Sequence, residues 1–141
     1  MTIQQLSIFV ENKPGRMAEI ARMIADEGID IRALSLADTD SYGILRLIVD
    51  HPEAARKALQ DRGLTLSLTD VLAVQMADHP GGFAEVLDVL SRGDINIEYM
   101  YAFIGQKSGS AVVILRVNDN AEAARLLSAG GIGLLTQQDL L

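Results

Sequence analysis

The chain contains two similar copies of one segment, and this internal repeat restricts its fold more than any other feature. Pro14-Gly15 matches Pro80-Gly81 at an offset of 66 residues. Further along, Ala54-Ala55-Arg56 matches Ala123-Ala124-Arg125 at an offset of 69, which predicts a three-residue insertion in the turn-like stretch Ser108 to Ser110. A repeat of this length is too long for a solenoid unit and has the size of a small domain. The sequence therefore predicts two domains, at residues 1–70 and 71–141.

Each copy predicts the element order βαββαβ. In the first copy, Leu6, Ile8 and Val10 recur at every second position, which is typical of a half-buried strand. The elements expected after it are a helix through Met17 and Ile24, strands at Ile29–Ala37 and Gly43–Val49, a helix at Ala54–Gln60 and a strand through Leu64, Leu66 and Leu68. This order predicts an α+β fold, in which two antiparallel sheets each carry their helices on one face.

Two acidic pairs resemble helix capping boxes. Asp50 precedes Glu53 by three residues, and Asp119 precedes Glu122 by the same spacing. An Asp side chain in this position accepts a hydrogen bond from a backbone N–H of the first helical turn. We therefore expect Asp50 and Asp119 to cap the second helix of their copies.

Composition excludes several classes of function. The net charge of −7 does not supply the basic surface that a nucleic-acid-binding protein needs. The chain has no cysteine, which excludes disulfides and thiolate chemistry. It also lacks the run of about 18 apolar residues that a membrane helix requires, and no signal peptide is visible. We expect a cytoplasmic protein without membrane or nucleic-acid partners.

No pattern in the sequence indicates catalysis, a metal site or a cofactor. Gly130-Gly131-Ile132-Gly133 follows a helix and precedes a strand, whereas a dinucleotide-binding loop has the reverse context. We interpret it as a helix stop and a turn. His51 and His79 lie far apart and are interpreted as solvated residues at helix starts rather than metal ligands.

An aromatic stripe, Tyr99, Tyr101 and Phe103, occupies the second strand of copy two. Alternation predicts that these side chains share a face with Ile95 and Ile97. Three interpretations remain open: a core or inter-copy surface, a ligand-pocket wall, or a platform for base stacking.

The turn between first strand and first helix is the best candidate for a binding site. It occurs as Asn12-Lys13-Pro14-Gly15-Arg16-Met17 and as Asp78-His79-Pro80-Gly81-Gly82-Phe83. The pattern predicts an Asn or Asp cap followed by proline in the first helical turn. A glycine there leaves the N–H groups at the helix N-terminus accessible, and such N–H groups bind anions such as a carboxylate.

These turns, together with the Gly-Ile-Asp-Ile and Asp-Ile-Asn-Ile segments that open the second strands, resemble those of the ACT domain. The resemblance covers nearly the whole chain as a tandem pair. It implies a ferredoxin-like fold that binds amino acids at interfaces between domains. It also implies that Asn12 and Asp78, with Asp30 and Asn96, contact the ligand. Serine-binding members carry a histidine where this chain has Val10 and Met76, so the resemblance does not imply serine.

The leading hypothesis is thus a non-enzymatic regulatory protein that binds a free amino acid and acts through a separate protein. Met17 and Phe83 are expected in the helix core near the pocket floor. The expected ligand-binding residues are Asn12, Lys13, Pro14, Gly15, Arg16, Met17, Asp30, Ile31, Asp78, His79, Pro80, Gly81, Gly82, Phe83, Asn96 and Ile97. The alternatives are a small acylphosphatase-like enzyme, which would use Arg16 and Asn96, and an assembly module without a ligand. We expect a homodimer.

The acidic and amide groups are exchanged between the copies. If each site took both groups from one copy, Asn12 would join Asp30 and Asp78 would join Asn96, which gives two electrostatically similar sites. If the sites lay between copies, as the resemblance implies, one would hold two amides and the other two carboxylates. The second arrangement predicts one tight and one weak site per chain.

Overall fold

A computed structural model describes residues 1–38, 41–103 and 109–141. Ser108, part of the predicted insertion, lies outside these residues. The described chain forms six strands, four α-helices and a short 3-10 helix. In chain order they are β1 (Ile3–Glu11), α1 (Arg16–Asp26), β2 (Ile31–Asp38), β3 (Tyr42–Val49), α2 (Pro52–Asp61), β4 (Leu66–Ala77), α3 (Gly82–Leu90), β5 (Ile97–Ala102), β6 (Ser110–Val117), α4 (Asn120–Ala129) and the 3-10 helix (Gln137–Leu140). This order confirms the predicted α+β class.

The chain divides into two compact units. The N-terminal unit comprises Gln4–Thr69 with Leu141, and the C-terminal unit comprises Asp70–Leu140 with Met1–Ile3. The boundary falls inside β4, whose twelve residues form the last strand of copy one and the first strand of copy two.

In the N-terminal unit, β3 lies between β2 and β1, and both pairings are antiparallel. The first part of β4 continues the sheet beside β1, where Phe9 N–H donates to Thr65 C=O at 2.9 Å. Alternate residues of the strands form one core with both helices, because a strand's side chains alternate between faces. The buried members of this core are Leu6, Ile8, Val10, Ile20, Ile24, Leu45, Leu47, Val49, Ala55, Leu59 and Leu64. Both helices therefore cover the same face of the sheet.

In the C-terminal unit, β6 lies between β4 and β5, again antiparallel. Leu72 and Val74 of β4 pack against the buried faces of α3 and α4. The fourth strand of this copy is reduced to a single bridge between Val74 and Leu134. The 3-10 helix follows directly, and at its start Asp139 accepts hydrogen bonds from the backbone N–H and the hydroxyl of Thr136.

The offset of 69 predicted for the second half of the repeat is wrong by one residue. Strand register and helix bounds give 68, because Leu6 pairs with Leu47 and its counterpart Leu72 pairs with Leu115. The buried face of the second helix agrees, since Ala55 corresponds to Ala123. The identical Ala-Ala-Arg triplets are therefore shifted by one residue relative to the structural alignment of the two helices. The two copies align by their buried positions and not by these identical residues. The insertion has two residues.

A bulge occurs at the same place in both second strands. The register shifts between Ile31 and Ala33 in β2, and between Ile97 and Tyr99 in β5. A bulge adds one residue and so reverses which face the following side chains occupy. The aromatic stripe therefore does not share a face with Ile97. Ile97 packs on the helix-covered core, whereas Tyr101 pairs with Ile114, which lies outside that core.

Only one of the two predicted acidic caps is present. Asp119 is the N-cap of α4, and its side chain accepts from the Glu122 N–H at 3.0 Å. The cap predicted at Asp50 is wrong. The N-cap of α2 is His51, which makes no side-chain cap bond, because the true counterpart of Asp119 at offset 68 is His51. The side chain of His51 is exposed, as expected for a residue at a helix start.

Candidate functional site

The Pro-Gly segments form a tight turn immediately before each first helix. Arg16 N–H donates to Lys13 C=O at 3.2 Å, and Gly15 has φ 84° and ψ −15°. These values, with proline in the preceding position, define a type II turn whose third residue requires positive φ. In copy two, Gly82 N–H donates to His79 C=O at 3.0 Å around Gly81, whose φ is 91°.

This geometry corrects the predicted capping. Helix α1 begins at Arg16 and α3 at Gly82, so Pro14 and Pro80 precede the helices rather than opening them. The N-caps are Gly15 and Gly81, and neither helix has a side-chain cap bond. Asn12 and Asp78 lie too early in the turn to serve as caps. The sequence signal was that of a type II turn, in which proline and glycine take consecutive central positions.

The turn leaves backbone donors available at the start of the helix. The first helical bond of α1 runs from Glu19 N–H to Gly15 C=O at 3.0 Å. The N–H groups of Met17 and Ala18 therefore have no intrahelical acceptor. A β-carbon added to Gly15 would meet nothing within 4 Å, so the space beside the turn is open. Donors at a helix N-terminus next to open space favour an anionic group.

A small open pocket of about 90 Å³ lies beside the first turn. Its lining residues are Val10, Glu11, Asn12, Lys13, Met17, Leu36 and Gly43. Met17 also packs against the core, as predicted for a residue of the helix core. Asn12, Lys13 and Met17 were predicted from the sequence, whereas Leu36 was missed because it lies on a different strand.

Charged side chains surround the first turn. Lys13 Nζ lies 3.2 Å from Glu11 Oε2, and Arg16 Nη1 lies 3.3 Å from Glu19 Oε2. Arg16 Nε is buried without a hydrogen-bond partner, 3.7 Å from Glu11 Oε1. The Arg16 side chain is only 19% exposed. It is thus held by carboxylates, whereas the acylphosphatase-like alternative required it to bind phosphate.

The second turn has the same backbone but different surroundings. Gly82 stands where copy one has Arg16, and a β-carbon on Gly82 would overlap the carbonyl oxygen of Ala77. His79 Nδ1 lies 2.9 Å from its neighbour's carbonyl oxygen, that of Pro80. The prediction that Phe83 belongs to the helix core is wrong, because its side chain is 42% exposed. It lies in the first turn of α3 and is not among the buried residues of that helix, which are Gly82, Val86, Val89 and Leu90.

Asp30 and Asn96 lie at the far end of their own units from the turns. Asn12 follows the end of β1, near Gly43, whereas Asp30 precedes the start of β2, near Val49. Six residues of β3 separate these two positions, which is roughly 20 Å of strand. The same holds for Asp78 and Asn96 along β6. Sites built from both groups of one copy are therefore excluded.

Two residues that were not predicted from the sequence, Asp50 and Asn118, accept hydrogen bonds from the backbone just before β2 and β5. Asp50 Oδ1 accepts from the Asp30 N–H at 3.4 Å, and Asn118 Oδ1 accepts from the Asn96 N–H at 2.8 Å. Asp30 itself forms an ion pair with Arg32 at 2.7 Å. Asp50 and Asn118 occupy equivalent positions directly after a buried strand. This repeated polar position was the sequence signal that could have identified them. Ile31 and Ile97, predicted beside the ligand, pack against the cores.

Comparison with known proteins settles the family. A family model described as "ACT domain pair" matches residues 1–139 of the chain. This chain belongs to the ACT domain family. No curated protein matches it.

Several solved structures are similar to this ACT domain pair. Protein BT0572 from Bacteroides thetaiotaomicron is 38% identical, with a TM-score of 0.92 over 99% of this chain and 96% of that one. The ligand-free regulatory subunit of aspartate kinase from Thermus thermophilus is 18% identical, with a TM-score of 0.65 over 90% and 91%. The corresponding subunit from Thermus flavus is 19% identical, with a TM-score of 0.61 over 91% and 92%. The last two share the fold with the ACT pair.

A second open pocket of the N-terminal ACT unit is larger, about 250 Å³. It is lined by Glu27, Gly28, Ile29, Asp50, His51, Ala54, Ala55 and Ala58. Its acidic groups already have partners, because Glu27 pairs with Arg62 at 2.7 Å and Asp50 accepts backbone hydrogen bonds. We favour the turn pocket because Gly15 leaves open space beside the N–H groups of Met17 and Ala18.

Residues 1–38, 41–103 and 109–141 contain no group of three or more His, Asp or Glu side chains that could hold a metal ion. None of the helices in these ranges is long and apolar enough to cross a membrane.

Proposed function

We propose that this pair of ACT domains is a non-catalytic regulatory protein that binds a free amino acid beside the first Pro-Gly turn. The observation that carries the proposal is the type II turn at Gly15, which has open space beside it and lies next to the pocket lined by Asn12, Lys13 and Met17. The ligand carboxylate would accept from the Met17 and Ala18 N–H groups. Its ammonium would meet the oxygens of Asn12 and Glu11, which line the same pocket, and would compete with Lys13 and Arg16 for the Glu11 carboxylate.

The regulatory role is supported by the family rather than by a catalytic arrangement. Aspartate kinase regulatory subunits share this fold. We propose that occupancy of the turn pocket is transmitted to a separate protein, and that the chain acts as a homodimer in the cytoplasm. A small ligand suits the pocket, because its volume of about 90 Å³ is below the range of roughly 300–1,000 Å³ typical of drug-sized ligands.

Thermal-shift screening against the twenty amino acids tests the ligand. An amino acid at 100 times its Kd stabilises the native state by about 2.7 kcal/mol. For a chain of this length that corresponds to a rise in Tm of roughly 5–15 °C. If none of the twenty raises the Tm at millimolar concentration, the amino-acid proposal fails.

Calorimetry on two variants then tests the position of the site. Gly15→Asn keeps the turn, because asparagine adopts positive φ more readily than other side chains, but it fills the open space beside the N–H groups. We expect at least a tenfold weaker Kd. His51→Ala, in the larger pocket, is the matched control and should leave Kd unchanged. The reverse result would move the site to the larger pocket.

A further inference from the structure

A glycine in β3 contributes to the space of the turn pocket. Gly43, Leu45 and Leu47 alternate along β3, and all three are buried. Leu45 and Leu47 belong to the helix-covered core, and alternate residues of a strand share a face. Gly43 therefore continues the row of these leucines but has no side chain. Because Gly43 lines the turn pocket, the missing side chain leaves part of the space that the pocket encloses.

Three side chains beside Gly43 form an apolar wall. Val10 pairs with Gly43 in the antiparallel register of β1 and β3. On the other side of β3, Leu36 pairs with Leu45, the next residue of the same row. Met17 lies in the first turn of α1, and Val10, Met17 and Leu36 all line the pocket. Gly43 and this apolar wall present no charged side chain to a ligand.

The polar lining of the pocket comes from consecutive residues at the end of β1, Glu11, Asn12 and Lys13. In the proposed function, the polar residues and the helix N–H groups bind the ammonium and carboxylate that all amino acids share. Gly43 and the apolar wall then remain for the ligand's side chain. A charged side chain would have no partner there, and burying an unpaired charge is costly. The pocket volume of about 90 Å³ leaves room for only a short side chain.

The second copy has different residues at both positions. In the register of the strands, Gly43 corresponds to Ala111 and Leu36 corresponds to Ala102. A methyl group thus occupies the position where the first copy has none. The same fold accommodates alanine at each of these positions, so the combination of Gly43 and Leu36 is not a requirement of the fold.

We propose that Gly43 and Leu36 select a neutral amino acid with a short aliphatic side chain at the turn pocket. The inference rests on the proposed function and names the class of its ligand. Gly43 admits the side chain of the ligand, and Leu36 limits the length of that side chain on the side of β2. Leu36 is 51% exposed, so shortening it opens the pocket towards solvent without leaving a cavity in the core.

Calorimetry with free alanine, leucine and lysine tests the role of Leu36 in the intact chain. Leucine and lysine should each bind the parent at least tenfold more weakly than alanine. Leu36→Ala should tighten leucine binding at least fivefold and change the Kd of alanine less than threefold. Leu34→Ala is the matched control, because Leu34 lies on the same strand and is 45% exposed but does not line the pocket. It should leave the ratio of the two Kd values unchanged.

A substitution at Gly43 tests the other half of the inference. Gly43→Ala places a methyl group in the pocket and should weaken the binding of alanine at least tenfold. Free glycine has no side chain to meet this methyl group, so its Kd should change less than threefold. The matched control is Ala111→Gly, the reverse change at the equivalent position of the second copy, which should leave both Kd values unchanged. Circular dichroism of the two variants should match that of the parent.

The outcomes separate this inference from the proposed function. If no amino acid raises the Tm, both fail. If an amino acid binds and Gly15→Asn weakens its binding, but leucine or lysine binds as tightly as alanine, the ligand class is wrong and the site stands. If Leu36→Ala alters the ratio of Kd values no more than Leu34→Ala does, or if Gly43→Ala weakens glycine as much as alanine, that residue does not select the ligand and the inference fails.

Discussion

At the scale of single residues, the two glycines of the second turn are required for different reasons. Gly81 has φ 91° and open space around it, so the backbone conformation alone demands glycine. Gly82 has ordinary helical φ, but any β-carbon would overlap the carbonyl oxygen of Ala77. In the first turn only Gly15 carries such a requirement, because Arg16 occupies the position equivalent to Gly82.

This difference predicts opposite responses at equivalent positions. Gly82→Ala should lower the free energy of unfolding by roughly 1–3 kcal/mol, because the backbone must shift to admit the methyl group. Arg16→Ala meets no such overlap and loses only contacts to two exposed carboxylates, so it should cost at most about 1 kcal/mol. Urea denaturation of both variants measures the difference. Equal losses at the two positions would contradict the overlap at Ala77.

The left-handed glycine also limits how the ligand site can be probed. A β-branched residue at Gly15 would be strained at φ 84°, at roughly 1–2 kcal/mol or more for a residue in the left-handed region. Loss of binding in such a variant would then combine instability with blocking of the site. The asparagine substitution separates the two effects, because it keeps the backbone conformation and adds a side chain.

At the scale of elements, the two second helices differ in how they begin. The Asp119 side chain caps α4, whereas His51 at the start of α2 makes no side-chain cap bond. Asp119→Ala should therefore lower the free energy of unfolding by about 1 kcal/mol. His51→Ala, at the equivalent position, should change it by less than about 0.5 kcal/mol. Chemical denaturation of the pair is the measurement, and a larger loss at His51 would contradict the assignment.

The 3-10 helix near the C-terminus gives an acid-sensitive contact. Hydrogen bonds from the Thr136 backbone N–H and hydroxyl lower the pKa of Asp139. Its contribution to stability is therefore full above the ordinary pKa of aspartate and is lost as pH falls through the lowered value. Carboxyl NMR titration should give Asp139 a midpoint below that of an unstructured aspartate. Thr136→Ala should raise the midpoint, and no change would show that the hydroxyl does not contribute.

The strands and helices could be predicted from the sequence because their apolar periods are local and occur twice. The bulges at Arg32 and Glu98 could not, since one additional residue leaves no mark in the pattern yet moves Tyr99 and Tyr101 to the other face. Only some of the residues that line the turn pocket could be predicted from the sequence. Asn12, Lys13 and Met17 are adjacent in sequence, but Leu36 joins them only through strand pairing.

At the scale of the whole molecule, self-association should appear in the thermal stability. A dimer is favoured by mass action, so its Tm rises with protein concentration, whereas a monomer's does not. We expect the Tm of the parent chain to increase over a hundredfold range of concentration. A parent Tm that is independent of concentration would contradict the homodimer.

The paired bulges also indicate the order in which the bulge and the duplication of the domain arose. Arg32 and Glu98 occupy equivalent positions, 66 residues apart, and each reverses the faces of the residues that follow it. Two independent insertions at one site would each have moved a row of side chains to the opposite face and required separate compensation. One insertion in an ancestral single-copy gene, followed by duplication and fusion, requires only one such event. The histidine and aspartate caps and the arginine-for-glycine difference after the Pro-Gly turns then record divergence since that fusion.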